Sequence, residues 1–195
     1  EDGRLTEQIL HEYLGMNLSY APRVWQANTA SYAMDLLSRR SVDLVIVMMR
    51  ISDMDLITFG MRVKEMYRKK PIILLAFDES EIKQLPDDQD QFMDNVFVWT
   101  GNANVFPAII KYIEDTKNVK RDTRKGDVRS IIYIEDTPRY YSSILPLIYK
   151  ETLYHTKQLI DKSLNNTQRL LHMRGRPKVL LAKDYEKAER YFKHY

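Results

Sequence analysis

Residues 43–55, DLVIVMMRISDMD, join an unbroken apolar run to a polar, acidic loop. The run from Leu44 to Met48 is too short for a helix that stands alone, and it favours a strand buried on both faces. Strands of that kind occur in parallel sheets with helices on either side. Because ligands and reacting groups gather beyond the carboxyl ends of such strands, we expect any chemistry in the loop after Met48.

The segments around this strand alternate between helical and extended patterns. Apolar runs at residues 72–76 and 96–99 predict two further strands, and residues 24–26 are a shorter strand candidate. Apolar residues at helical spacing predict helices over residues 5–16, 30–37, 56–67 and 106–113. Asn28 or Thr29 can cap the second of these helices. The alternation predicts an α/β fold with a doubly wound parallel sheet.

The composition is that of a globular chain without cysteine. The 195 residues are 44% hydrophobic and 29% charged, with a formal net charge of +3. This length favours two units. The apolar runs are far shorter than the roughly 18 residues of a membrane helix, and a mild charge without a basic stripe argues against nucleic-acid binding. The lack of cysteine excludes disulfides and fits a cytoplasmic protein.

The sequence also lacks the motifs of common enzymes. Its four histidines are widely separated, without the spacing of a zinc site. It contains no P-loop, no dinucleotide-binding glycine motif and no nucleophile elbow. We therefore expect no enzymatic activity from this chain.

Residues 43–55 resemble the third strand and the following loop of bacterial receiver (response-regulator) domains. Asp43 opens the strand and Asp53 lies in the closing part of the loop. The resemblance extends over residues 1–116. Receivers carry a phospho-accepting aspartate at the end of the third strand, a Ser or Thr at the end of the fourth, and a Lys near the end of the fifth. The matching positions here are Met48, Ala76 and Trp99.

These three replacements remove the nucleophile, the hydroxyl and the balancing cation of the receiver reaction together. A thioether neither attacks a phosphoryl group nor holds Mg²⁺, and an indole supplies no ammonium. The resemblance therefore implies that residues 1–116 are a pseudo-receiver domain that cannot be phosphorylated. The alternative is another flavodoxin-like domain that shares only the βα architecture.

Residues 117–129 interleave basic and acidic side chains around a single glycine. No apolar period is evident there, so the segment is predicted to be a solvated linker. An electrostatic patch for an acidic partner is the alternative.

A second unit is predicted at residues 130–195, beginning with a strand that ends in Glu135 and Asp136. It resembles the first part of another receiver, truncated before its own phospho-acceptor. In that family an acidic pair at this position holds Mg²⁺, a cation that prefers oxygen ligands. The same pair could instead cap the helix that starts near Pro138, and both interpretations stay open.

The rest of the second unit reads as a long helix, a turn, a strand and a final helix. The long helix is compatible with residues 138–172 and should be kinked or divided at Pro146. Its surplus tyrosines either face a partner or cover the unit's own core. Basic residues precede the strand predicted at residues 179–182, where a solvated turn is favoured over a phosphate contact: Arg169, His172, Arg174, Arg176 and Lys178.

Together the resemblance implies a non-catalytic signalling or regulatory module of the bacterial two-component (phosphorelay) type, built from tandem receiver-like domains. Its expected partners are proteins: a kinase, an output module, another receiver, or a second copy in a homodimer. The run at residues 173–188 also resembles the receiver-like region ahead of phosphoenolpyruvate-synthase-type modules. The alternative function is therefore the regulatory N-terminal segment of a phosphoenolpyruvate/pyruvate phosphotransferase.

A receiver sheet has its first strand at its centre, and the first unit begins with a helix instead. An empty central slot would leave backbone groups unpaired, at about 1–3 kcal/mol each. We expect residues upstream of Glu1 to fill the slot. The alternative is that residues 131–134 insert beside residues 44–48, which would make the chain one permuted domain.

Overall fold

A computed structural model of the chain describes residues 2–15, 22–126, 128–161, 165 and 175–195. The chain divides into two compact units. Unit 1 comprises Glu1–Thr6 and Pro22–Asn102, and unit 2 comprises Glu7–Ala21 and Ala103–Tyr195.

Helices and parallel strands follow one another along the described parts of the chain. The helices are α1 (Asp2–Gly15), α2 (Ala30–Arg39), α3 (Leu56–Met66), α4 (Glu79–Ile82), α5 (Val105–Gly126), α6 (Pro138–Asp161) and α7 (Tyr185–His194). The strands are β1 (Val45–Met48), β2 (Ile72–Ala76), β3 (Asn95–Val98), β4 (Ser130–Ile134) and β5 (Lys178–Ala182). A short 3₁₀ turn, Gln89–Gln91, precedes β3.

Unit 1 is an α/β unit around a three-stranded parallel sheet in the order β1-β2-β3. Val45 pairs with Ile72, and Ile73 pairs with Asn95. Every residue of β2 is buried, as expected for a strand with a neighbour on each side. The α/β class and the parallel sheet agree with the sequence-based expectation.

The apolar faces of α2 and α3 form the core beside this sheet. Leu37 from α2 and Phe59 and Val63 from α3 are buried in it. Gly60 faces the backbone of Phe92, where an added Cβ would lie only 2.5 Å from the Phe92 carbonyl oxygen. The close packing of α3 against the segment before β3 therefore requires glycine at this position.

The strand expected at residues 24–26 does not form, because residues 22–27 adopt no regular element. Val24 and Trp25 are exposed, so this segment has no buried face to pack. The Trp25 ring instead lies 4.8 Å from the guanidinium of Arg40. Three residues offer too little apolar surface to specify a strand without a partner.

Unit 2 contains a two-stranded parallel sheet in which Ile131 pairs with Val179. All of β5 is buried, whereas Ile131 and Ile134 of β4 are exposed. Because β4 pairs with β5 in its own sheet, it does not insert beside β1 in the described structure. The permuted single domain is therefore not observed.

The linker predicted at residues 117–129 is mostly helical, and this corrects both predicted boundaries. α5 continues to Gly126 and belongs with unit 2, so the boundary falls between Asn102 and Ala103 rather than near residue 116. The physical reason is a buried stripe. Asp115 and Val119 are buried, one turn apart, on the face that meets β5 and its flanking residues.

α6 runs through Pro146 without ending, although the sequence predicts a kink or a division there. Its inner face is anchored on both sides of the proline by the fully buried Tyr141, Leu145 and Tyr149. Two tyrosines therefore cover the unit's own core, whereas Tyr140 and Tyr154 are exposed. The predicted continuation toward His172 crosses residues 162–164 and 166–174, which lie outside the described residues. In the part of the chain that the structure describes, no helix combines the length and apolar character needed to cross a membrane.

Candidate functional site

The carboxyl ends of β1, β2 and β3 bring the three predicted site positions to one edge of the sheet. Met48 pairs with Leu75, the residue before Ala76. The Trp99 N–H donates a hydrogen bond to the carbonyl of Ala76 at 2.8 Å. Met48, Ala76 and Trp99 therefore close three adjacent strands, at the edge where α/β proteins bind ligands.

The side chains at these three positions, and the neighbouring Phe77, are apolar or aromatic. Ala76 is completely buried and offers only a methyl group. The Phe77 ring stacks on the Trp99 ring, with centroids 5.8 Å apart and an interplanar angle of 29°. Phe77 is about half exposed, so the stacked pair is accessible from solvent. This edge favours apolar and π contacts over the binding of an anion.

Asp53, in the loop after β1, holds the start of α2. Its two carboxylate oxygens accept the backbone N–H groups of Ala30 at 2.6 Å and Ser31 at 3.0 Å. The Ser52 hydroxyl donates to the carbonyl of Asn28 in the same contact. Hydrogen bonds from the side chain and backbone of Ser31 hold the pKa of Asp53 below its ordinary value. The β1–α3 loop is thus pinned to the helix before it.

The next carboxylates along the same edge are also helix caps. Asp55 accepts the N–H of Thr58 at 2.9 Å and caps α3, and hydrogen bonding from Thr58 lowers its pKa. Asp78 accepts the N–H of Ser80 at 2.7 Å and caps α4, and its pKa is lowered by the Ser80 side chain. Each acidic side chain supplies an acceptor that a helix start needs.

In unit 2, Glu135 and Asp136 make contacts within their own turn. The Glu135 carboxylate accepts the N–H of Thr137 at 2.9 Å, and the Asp136 carboxylate accepts the Thr137 hydroxyl at 3.1 Å. Asp184, at the end of β5, caps α7 by accepting the N–H of Lys187 at 2.6 Å. Among the described residues, no group of three or more potential metal ligands is present.

Two residues of the predicted basic turn, Arg176 and Lys178, are described by the structure, and both are buried rather than solvated. Arg176 is buried and donates from both terminal nitrogens to Asp115, at 3.0 and 2.5 Å. Burial alone would lower the pKa of Arg176, but the Asp115 carboxylate raises it above its ordinary value. Lys178 contacts Asp122 at 3.0 Å. Arg169, His172 and Arg174 lie outside the described residues.

Tyr149 closes this buried cluster from the α6 side. Its hydroxyl lies 3.5 Å from the carbonyl of Val179, and Asp115 also accepts the Val179 N–H at 2.9 Å. Burial, reinforced by the Asp115 charge, raises the pKa of Tyr149 well above its ordinary value. The cluster joins α5, α6 and β5 at the amino-terminal end of β5, away from the strand ends where ligands usually bind.

The sequence interpretation missed the capping role of Asp53, Asp55 and Asp78. The available signal was position, because Asp55 and Asp78 each immediately precede a helical pattern. The contact from Asp53 to α2 crosses more than twenty residues of chain and has no comparable local signal.

Set beside models of protein families, curated proteins and solved structures, the chain matches none of them. The geometry of the strand ends and of the capping carboxylates therefore carries the argument about function.

Proposed function

We propose that the chain is a non-catalytic, receiver-like signalling or regulatory module of the bacterial two-component type. The observation that carries the proposal is the apolar edge formed by Met48, Ala76 and Trp99 at three adjacent strand ends. A receiver reaction needs a carboxylate, a hydroxyl and an ammonium there, and these side chains provide none of them. Unit 1 would thus act through its shape and contacts rather than through phosphorylation.

The finer fold belongs to the same proposal. The sequential order β1-β2-β3, with helices between parallel strands, is compatible with the last three strands of a doubly wound, flavodoxin-like receiver. The succession β4-α6-β5-α7 is compatible with the first half of a second receiver-like unit. Right-handed crossovers between parallel strands are the general rule for such chains.

The capping carboxylates support an inert first unit. Asp53 binds the start of α2 and Asp55 binds the start of α3, so a metal ion at this edge would have to displace helix caps. A divalent cation would therefore compete with folding at the place where receivers recruit it.

In unit 2, Glu135 and Asp136 are the residues that would hold Mg²⁺. They provide carboxylate oxygens of the right chemical kind, but both already accept hydrogen bonds from Thr137. Two carboxylates with no third ligand among the described residues predict weak binding. Cytoplasmic location and protein partners complete the proposal, since a module without its own reaction transmits a signal only by contact.

Phosphorylation chemistry tests the proposal directly. The chain would be incubated with acetyl phosphate, or with beryllofluoride, in the presence of Mg²⁺, and analysed by mass spectrometry with peptide mapping. We expect no acid-labile phosphoryl adduct in unit 1. Met48→Asp should also stay unmodified, because the balancing lysine is still missing at Trp99. Calorimetric titration of the same samples should give Mg²⁺ binding no tighter than about millimolar.

A phosphoryl adduct mapped to residues 22–102 would contradict the inert first unit. Sub-micromolar Mg²⁺ binding that survives Glu135→Gln would contradict the assignment of the metal ligands. Catalytic turnover of a substrate by the purified chain, without an added kinase, would contradict the non-catalytic role.

A further inference from the structure

Five cationic side chains lie along one face in the second half of α5, which we call the basic ridge: Lys117, Lys120, Arg121, Arg124 and Lys125. All five are exposed, whereas Val119 on the opposite face is buried. At 1.5 Å of rise per residue, the ridge is about 12 Å long. The five positive charges, which the sequence alone assigned to a solvated linker, are therefore aligned on one helix.

Acidic neighbours do not balance the whole ridge, although Arg121 pairs with the adjacent Asp122 at 2.9 Å. Arg39 pairs with Asp35 in α2, and Lys193 pairs with Glu189 in α7, each at a spacing of four residues. Within the described residues, Lys120 and Arg124 have no ion pair and are four positions apart. Like charges at that spacing repel, so the ridge is less favourable than an interleaved face.

The helix dipole explains only part of this arrangement. Arg124 and Lys125 lie in the last turn of α5, where cations are favourable. Lys120 lies further back, where the dipole has little effect. An anionic partner placed along the ridge would relieve the repulsion between Lys120 and Arg124.

The backbone under the ridge is fixed before any partner arrives. The buried Asp115–Arg176 pair joins α5 to the segment just before β5. The Asp122–Lys178 pair joins α5 to the first residue of β5. A surface on a held helix loses little conformational entropy on binding. The ridge therefore lies on a helix whose backbone is held in place.

A matching anionic surface is present in the chain itself, in the connection between β2 and β3. We call its three exposed carboxylates, Asp87, Asp88 and Asp90, the acidic turn. They flank or lie within the 3₁₀ turn Gln89–Gln91, and the Gln91 side chain donates to Asp88 at 3.2 Å. Among the described residues, none of the three carboxylates forms an ion pair. Three carboxylates within four positions give a compact negative surface.

We propose that the basic ridge binds the acidic turn of a second copy of the chain. Charge complementarity between two exposed and locally ordered surfaces supports this occupant. Single-stranded nucleic acid is less suitable, because the ridge carries no aromatic side chain on which bases could stack. A membrane surface is less suitable because the exposed face has no apolar side chain to insert. The contact is independent of the receiver likeness, so its failure would leave the proposed function standing.

Sedimentation equilibrium of the whole chain tests the contact. At low ionic strength the weight-average mass should rise with protein concentration. The association constant should fall by about tenfold or more between low and high salt, because exposed charges are screened over a Debye length of about 8 Å at physiological salt. Association that persists unchanged at high salt would overturn an electrostatic contact.

A charge swap makes the test specific. The ridge variant carries Lys117→Glu, Lys120→Glu and Arg124→Glu, and it should stay monomeric on its own. The turn variant carries Asp87→Lys, Asp88→Lys and Asp90→Lys, and it should also stay monomeric. An equimolar mixture of the two variants should associate, because an acidic ridge then faces a basic turn.

A matched control changes the same number of exposed cations elsewhere in unit 2, with Lys150→Glu, Lys157→Glu and Arg190→Glu. It should associate as the native chain does, and circular dichroism should show that all variants are folded. The proposal is overturned if the native chain stays monomeric at low salt, if the control loses association equally, or if the mixture fails to associate. Tighter binding of a labelled DNA duplex, lost in the ridge variant, would assign the ridge to nucleic acid instead.

Discussion

Asp53 caps the start of α2 although it is not adjacent to that helix in the sequence. A helix cap is usually supplied by the residue next to the helix. Asp53 reaches from the β1–α3 loop to the first two N–H groups of α2, while Thr29 accepts the N–H of Tyr32 from the usual capping position. Carboxylates suit this place because the amino end of a helix is partly positive. The same residue therefore orders a loop and starts a helix.

Acid should weaken unit 1 through this group. The pKa of folded Asp53 lies below its ordinary value, so its stabilising effect is complete above the unfolded pKa, about 3.9, and is lost as the pH falls through the lower folded value. We expect the thermal midpoint of the native chain to be flat near neutrality and to fall below about pH 4.

Asp53→Asn isolates this contribution. It should lower the thermal midpoint at pH 7 by a few degrees, and it should make the acid-induced fall shallower. Circular dichroism melts from pH 7 to pH 3 measure both effects. Glu65→Gln is the control, since Glu65 is an exposed carboxylate of unit 1 that caps no helix. Equal acid profiles for the native chain and Asp53→Asn would contradict the role of the cap.

The helix α5 owes its place in unit 2 to a few buried polar contacts. Asp115 is almost completely buried, and it accepts hydrogen bonds from Arg176 and from the N–H of Val179. Buried charges persist only when they are paired and hydrogen-bonded, and this pair meets both conditions. α5 is thereby joined to the start of β5 rather than left as the closing helix of unit 1.

Removing one partner of the buried Asp115–Arg176 pair should therefore strongly destabilise unit 2. Asp115→Asn leaves the Arg176 charge buried without its counter-ion, and we expect it to destabilise unit 2 by about 3–5 kcal/mol. The double change Asp115→Asn with Arg176→Met should recover part of this loss, since it removes the unpaired charge as well. Urea unfolding followed by circular dichroism measures each variant.

Glu189→Gln is the control in the same unit. Glu189 pairs with Lys193 at the surface of α7, and the loss of such a pair should change stability by no more than about 1 kcal/mol. If Asp115→Asn were as mild as Glu189→Gln, the buried pair would not be what holds α5 in place.

Short apolar runs made the strands easy to predict from the sequence. The run at residues 72–76 coincides with β2, and the run at residues 131–134 falls within β4. The extent of α5 was harder to predict because charged residues dominate its second half. The usable signal was the spacing of Asp115, Val119 and Asp122, which form one face, but two of these three residues are acidic.

The candidate site was predictable in position but not in its bonding. A strand-end position follows from the apolar run before it, and Met48 and Ala76 each end a strand. The contacts of Asp53 and Arg176 join residues far apart in the chain, and composition cannot specify them. Burial of the basic residues before β5 was missed for the same reason, since a run of cations is usually solvated.

At the scale of the whole molecule, one passage of the chain from unit 1 to unit 2 falls between Asn102 and Ala103. The helix α5 begins only two residues later, at Val105. Trypsin can distinguish this arrangement from a solvated linker, because the basic ridge offers it five cleavage positions within nine residues.

We expect cleavage along the ridge to be slow in the native chain and fast once the chain is unfolded, because proteases need a locally opened backbone. Asn118→Pro should interrupt α5 and make cleavage after Lys120, Arg121, Arg124 and Lys125 fast, whereas Asn118→Ala should leave it slow. The bond after Lys117 is not compared, because trypsin does not cleave before proline. Time-resolved mass spectrometry of the peptides gives the rates. Rapid cleavage of the native ridge, at the rate seen in Asn118→Pro, would indicate a linker after all.

The two tryptophans of the chain, Trp25 and Trp99, both belong to unit 1. Trp25 lies against a guanidinium and Trp99 against a phenyl ring, so each indole has a distinct local partner that unfolding removes. Unit 2 contains tyrosine but no tryptophan. Indole fluorescence therefore reports on unit 1 alone, and the melting of that unit can be followed in the uncut, unmodified chain.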